Sequence, residues 1–256
     1  MKESDLTSNS AAIPNQNLEQ QTSHALIILA SGLSRRLGQA KQLLCKNGVP
    51  LISHMLRLAA STNPQVIIVV IPKNDVSIAS AITELATQHA TIQTVTNPTP
   101  KTGMAYSLYL SIEALIHLDS CDHLSINRVL IMGVDQILLE EEHLLTLLAG
   151  EKAVVASGYS SLPNWSNWHD LAKTAATETI KKDIIGLPLA IDYKLLKQWQ
   201  ALLTGDKGLR HLIRGLPSSQ ISTVYNHQLS YDIDTPEQLA YARQQGWVDD
   251  TRWREK

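Results

Sequence analysis

The chain has 256 residues, of which 44% are hydrophobic and 18% charged, the make-up of an ordinary globular protein with room for one large α/β domain or two small ones. Its formal net charge of -2 gives no electrostatic reason to expect a nucleic-acid or membrane partner, and leaves only a local basic spot for a small phosphate ligand. Cys45 and Cys121 are far apart and match no metal or redox spacing, so two free thiols in a reducing compartment are expected.

In chain order, residues 1–23 are polar and rich in Asn, Gln and Ser. They lack the basic start and apolar middle of a signal peptide and read as a disordered leader on a cytoplasmic protein. Ala25 to Ala30 is a short apolar run ending at Gly32, suited to a strand buried on both faces. A helix is expected over Leu51 to Ala60 and a strand over Val66 to Pro72, whose apolar run is far too short to span a membrane. Val76 to His89 reads as a helix and Thr91 to Val95 as a strand. Met104, Leu108, Ile112 and Leu115 then share one helical face, followed by a strand at Arg128 to Met132, a helix at Glu141 to Leu148 and a strand at Ala153 to Ser157. Alternation at this spacing predicts parallel βαβ units and hence a three-layer α/β/α sandwich around a mostly parallel, Rossmann-like sheet. One domain is expected over 24–246, with 159–185, which carries Trp165 and Trp168, as an insertion or lid and 247–256 as a C-terminal tail.

Ligands of open parallel sheets sit at the carboxyl ends of strands. There, Ala30 to Gly38 presents two glycines, two serines and two arginines, followed by Lys41. Glycines let backbone N–H groups approach phosphate oxygens, and arginine forks match phosphate geometry. Neither a Walker A loop nor GxGxxG is present, so residue chemistry alone leaves two accounts: an anion loop, or a plain connection with its arginines in water. The full stretch LASGLSRRLGQAKQLL, Leu29 to Leu44, resembles the LAAGxSxRMGxxKxLL signature of the MobA-like nucleotidyltransferases, most of all the molybdenum cofactor cytidylyltransferases. Leu29, Ala30, Gly32, Ser34, Arg36, Gly38, Lys41, Leu43 and Leu44 match, while Ser31 replaces Ala and Leu37 replaces Met. The resemblance implies a nucleotide-diphospho-sugar transferase type of fold whose first loop, here Leu29 to Leu44, wraps a nucleoside triphosphate. Ala30-Ser31-Gly32 looks like the pyrimidine-using branch, which favours CTP.

Asp135, in IMGVDQ, stands just past a strand, and Asp234 stands in YDIDTPEQL. Such carboxylates suit Mg²⁺, which takes one or two protein carboxylates and fills its shell with phosphate and water; a capping or loop role is the alternative for each. Thr235, Pro236 and Gln238 also spell a helix start with a capping box. The family resemblance continues through both segments and implies Asp135 and Asp234 as the Mg²⁺ ligands, with Val134 and Ile137 departing from the usual Cys and Pro. NPTPKTGMAYSL resembles the family's Gly-Met-x-x-Ser-Leu turn, placing Gly103 and Ser107 at the nucleotide. LTGDKGLRHLI resembles LxGDxGARxLL and places Asp206, Lys207 and Arg210 at the acceptor. GLPLAI resembles the acceptor-lining G-[HN]-P-V, giving Gly186, Leu187 and Pro188, with Leu187 where a polar residue is usual.

The reaction implied is attack by an acceptor phosphate on the α-phosphorus of CTP with release of pyrophosphate, the acceptor being molybdopterin. Arg36, Lys41 and Asp135 would carry the catalysis, which is mainly charge neutralisation and alignment. A transient contact with a molybdoenzyme or its chaperone would accompany that role. Two alternatives stand beside it: another phosphorylated acceptor such as a sugar 1-phosphate, and a non-catalytic nucleotide- or cofactor-binding accessory protein. The nine histidines show no HxH or HExxH spacing and are assigned no metal.

Overall fold

The structure, a computed structural model, describes residues 23–160, 183–205 and 208–250. Residues 1–22, Trp165, Trp168, Asp206 and Lys207 lie outside the described residues.

Seven strands form one sheet. Four adjacent strands run parallel on one side, β1 (His24–Leu29), β4 (Val66–Pro72), β5 (Ile92–Asn97) and β6 (Arg128–Gly133). On the far side lie β7 (Val154–Ser160), β8 (Asp183–Asp192) and β9 (Ile221–Tyr225), giving the order β5-β4-β1-β6-β8-β7-β9. A separate small hairpin pairs β2 (Cys45–Lys46) with β3 (Val49–Pro50). Strand β8 is antiparallel to both β6 and β7. GLPLAI therefore forms a strand as well as lining the site, and its Gly and Pro are the residues that hide a strand from a pattern reading.

The apolar runs behave as central strands must. Every residue of β4 and β6 is buried, and alternate side chains enter opposite layers. Leu26, Ile28, Ile67, Val69, Leu130 and Met132 pack on one face with Ile52, Met55 and Leu56 of α1 (Leu51–Ser61), Ile78 and Ile82 of α2 (Val76–Gln88), and Leu144 and Leu147 of α4 (Glu141–Ala149). Ala25, Ile27, Ile68, Val70, Val129 and Ile131 pack on the other with Leu108, Ile112 and Leu115 of α3 (Met104–Asp122) and Tyr193 and Leu196 of α5 (Tyr193–Trp199). The result is the three-layer α/β/α sandwich. No helix among the described residues is long and apolar enough to cross a membrane.

Both ends of the folded unit reach further than the pattern indicated. The Ser23 carbonyl accepts the Asn127 N–H at 2.9 Å, which ties Ser23 to the sheet. Beyond α7 (Pro236–Gln244), Val248 is buried against Leu37, Leu44, Ile137, Ile233 and Leu239. Trp247 meets Tyr231 edge-on at 4.8 Å, and the Asp249 carboxylate accepts the Asn47 and Gly48 amides at 3.0 and 2.6 Å. Residues 247–250 are thus part of the domain, not a tail. At the 159–185 segment, Tyr159 pairs with Ile184 and Ser160 with Asp183, so its ends belong to the sheet.

His143 on α4 is buried, and burial holds its pKa below the ordinary 6.5. The unfolded chain therefore binds a proton that the folded chain resists, and this contribution to stability is present above 6.5 and lost as the pH falls below it. Between about pH 7 and about pH 5 the parent should lose more melting temperature than His143→Gln, whose other titrating groups are the same. Equal losses in the two proteins would contradict this account.

Candidate active site

The loop after β1 folds back on itself. Ser34 (φ 46°) and Gly38 (φ 72°) take left-handed backbone, and the Ser34 carbonyl and hydroxyl accept the Gly38 and Lys41 amides at 3.1 and 3.3 Å. The only costly position is Ser34, since glycine adopts this region freely. Gln42, buried beneath, donates to the carbonyls of Ala30 at 2.6 Å and Gly32 at 2.8 Å. It braces the loop from inside, a role that its place between Lys41 and Leu43 did not announce. A methyl group on Gly32 would meet nothing within 4 Å, so the backbone there faces open space.

That space is a cleft of about 800 Å³ at the carboxyl ends of β1 and β6. Leu29, Ala30, Ser31, Gly32 and Lys41 line one wall, joined by Gly103 and Ser107 from the start of α3. The Ser31 and Ser107 hydroxyls hydrogen-bond to each other, and the fully buried Asn97 donates to Ser107 at 2.9 Å. Met104, expected on the packed face of α3, is 48% exposed at the cleft. As the first residue of the helix it lies beyond the sheet that its partners Leu108 and Ile112 cover.

Two carboxylates meet over one ammonium. Lys41 Nζ lies 2.9 Å from Asp135 Oδ2 and 2.7 Å from Asp234 Oδ1, while Arg36 donates to the other Asp234 oxygen at 2.6 Å. Lys41 is 12% exposed and Arg36 73%. Burial pushes the Lys41 pKa down, but Asp135 and Asp234 outweigh it and the net shift is upward. Burial likewise opposes the charge of Asp234, yet Lys41 and Arg36 hold its pKa below the ordinary value.

The local fold explains how Asp234 arrives. Thr235 caps α7, its hydroxyl accepting the Gln238 amide at 3.3 Å, and Gln238 Oε1 accepts the amides of Thr235 and Asp234 at 2.9 and 2.7 Å. The capping box thus fixes the loop that carries the carboxylate. Upstream, Gln136 and Asp232 form an antiparallel bridge, setting Asp232-Ile233-Asp234 alongside Asp135. Ile233 is fully buried against Ile137. Because side chains alternate along an extended segment, the two flanking aspartates point the other way, into the cleft. Asp232 was not singled out by its sequence, although the D-I-D spacing carried the signal. Its pKa is raised to about 6 by burial and by the neighbouring Asp135 and Asp234. The departures Val134 and Ile137 are both buried apolar residues that pack, and the carboxylate between them stays at the cleft.

Oxygen donors of this kind suit a hard divalent cation. Among the described residues no cage of three or more His, Cys, Asp or Glu side chains forms. A single ammonium already bridges the pair, so the carboxylates are spaced to share one cation.

On the opposite wall lie Gly186 and Leu187, and Pro188 is buried beside them. The Leu187–Pro188 peptide is cis. A methyl group on Gly186 would come within 2.6 Å of Tyr159 Oη, so glycine is needed where the ring closes over the strand. Burial and the charges of Asp232 and Asp135 raise the Tyr159 pKa. Arg210 lines the cleft from the short helix α6 (Arg210–Arg214), together with His211 and Arg214, which no motif marked. Leu209 and Ile213, buried in the core, anchor that helix.

Solved proteins share this architecture. Rv0371c of Mycobacterium tuberculosis is 17% identical with a TM-score of 0.63, over 87% of this chain and 99% of its own; it has also been solved in complex with manganese. A nucleotidyl transferase from Methanothermobacter is 18% identical with a TM-score of 0.62, over 88% of this chain and 97% of its own. The 4-diphosphocytidyl-2C-methyl-D-erythritol synthase of Anaerococcus prevotii is 17% identical with a TM-score of 0.62, over 88% of this chain and 96% of its own. At these identities the likeness establishes the fold. No protein of curated function matches the chain significantly by sequence. The profile of the MobA-like NTP transferase domain, however, matches residues 26–223, and the chain belongs to that family.

Proposed function

We propose that this protein is a Mg²⁺-dependent nucleotidyltransferase that moves CMP from CTP to the phosphate of molybdopterin, releasing pyrophosphate. The observation that carries it is Lys41 bridging Asp135 and Asp234 beside an open glycine loop. Arg36 and Lys41 hold the β- and γ-phosphates, and the backbone from Ala30 to Gly38 faces the rest of the triphosphate. Asp135 and Asp234 hold the cation, and that Rv0371c has been solved with manganese is consistent with a divalent cation. Mg²⁺ bound there would neutralise charge between the α-phosphate and the attacking oxygen. The acceptor phosphate is already ionised at neutral pH and needs no general base. What remains for the protein is alignment and charge stabilisation in the cleft.

Leu187 favours a second acceptor class. A site that lacks a hydrogen-bonding group discriminates weakly for the polar group it would have met, so a sugar 1-phosphate is the rival to molybdopterin. A screen of four triphosphates with Mg²⁺, each with intact molybdenum cofactor, with sugar 1-phosphates, or with neither, separates the two. Pyrophosphate release requiring CTP and the cofactor is expected. Release only with a sugar 1-phosphate would replace the acceptor while keeping the chemistry.

A further inference from the structure

Where β7 and β8 pair, the register breaks. Ala156 faces Leu189 but Ser157 faces Gly186, so Leu187 and Pro188 are extra residues that the β7 ladder does not match. A backbone carbonyl turned out of a ladder in a buried place must find another donor. Both do, and both donors are side chains. Ser157 Oγ donates to the Pro188 carbonyl at 2.6 Å, and Gln136 Nε2 donates to the Leu187 carbonyl.

Ser157 is fully buried, and its Oγ lies 2.8 Å from His143 Nε2. The hydroxyl has one proton and gives it to Pro188, which can only accept. His143 must therefore be the donor to Ser157, with its proton on Nε2. A chain results: α4 through His143, β7 through Ser157, and the bulge of β8 through Pro188. On the other side, Gln136 ties the same bulge to the residue next to Asp135.

We infer that His143 and Ser157, buried away from the cleft itself, are positioning residues that set the acceptor wall Gly186–Pro188 through the Pro188 carbonyl. The inference rests on the proposed transferase function for its kinetic consequence, but not for the brace. Neither residue lines the cleft, so neither touches substrate. Their effect is on where the wall stands relative to Asp135. A bulge with two pinned carbonyls has one position; with one pin removed, an unsatisfied buried carbonyl pulls the strand toward other partners.

The test uses Ser157→Ala, His143→Leu and His143→Gln in the full chain, read by hydrogen exchange and by steady-state kinetics. Ser157→Ala and His143→Leu should speed exchange over Gly186–Leu189 while leaving the Gly32–Gly38 loop unchanged. They should raise the acceptor KM about tenfold, the effect of one lost buried hydrogen bond, with the triphosphate KM unmoved. His143→Gln keeps an N–H where Nε2 stood and should stay within about threefold of the parent. A merely structural role would lower the melting temperature and leave the two KM values in their original ratio. Unchanged exchange at Gly186–Leu189 in Ser157→Ala overturns the brace, and so does a rise in both KM values together. A parent inert with every acceptor instead overturns the transferase reading, and exchange alone then decides the brace.

Discussion

Asp135→Asn should reduce turnover by about 10³-fold or more while leaving the melting temperature close to that of the parent. Asn keeps the shape and one carbonyl oxygen but removes the charge that would hold the cation opposite the α-phosphate. Stability should move little because two effects oppose. Lys41 loses one of its two carboxylate partners, but the crowding of Asp135, Asp232 and Asp234 is relieved, the crowding that helps raise Asp232 to about 6. Triphosphate binding measured without divalent metal should also stay near the parental value, since Arg36 and Lys41 remain. Turnover by the Asn variant within about tenfold of the parent would remove Asp135 from the catalytic site. A parent that binds nucleotide but shows no turnover would point instead to an accessory protein.

How much of this was legible differs by layer. Strands β1, β4 and β6 were plain because a strand buried on both faces is an unbroken apolar run, and Val66–Pro72 is one from end to end. Strand β8 was not, since Gly186, Leu187 and Pro188 interrupt the pattern where the register breaks. One wall of the cleft was legible in the loop and in the capping box of Thr235 and Gln238, both local features that a sequence displays in order. Contacts between distant segments left weaker traces. Gln42 under the loop, Gln136 on the Leu187 carbonyl, and His143 behind Ser157 are single polar residues within apolar stretches. Nothing in a linear pattern says what each will meet. Asp232 is intermediate: its spacing from Asp234 was visible, but only the bridge to Gln136 shows that the two carboxylates enter the cleft together.

Lys41→Met should lower turnover by about 10²–10³-fold and, more tellingly, change how the protein responds to divalent metal. In the structure the ammonium occupies the position between Asp135 and Asp234 that a divalent cation would share. In the absence of nucleotide the two therefore compete for the same oxygens, and the parent should bind Mg²⁺ weakly. Methionine fills much of the same volume without charge. It leaves Asp135, Asp232 and Asp234 facing one another, with the exposed Arg36 still paired to Asp234. Without metal the variant should melt below the parent. With millimolar Mg²⁺ or Mn²⁺ it should recover, because a ligand that binds only the folded state stabilises it in proportion to the logarithm of its saturation. The metal-induced rise in melting temperature should thus be larger in Lys41→Met than in the parent, and absent in Lys41→Met combined with Asp135→Asn. An equal or smaller rise in the single variant would mean that lysine and cation do not share these carboxylates. Under the proposed function, Lys41 would be the counter-ion of Asp135 and Asp234 in the nucleotide-free protein and would be able to turn toward the triphosphate once a cation neutralises them.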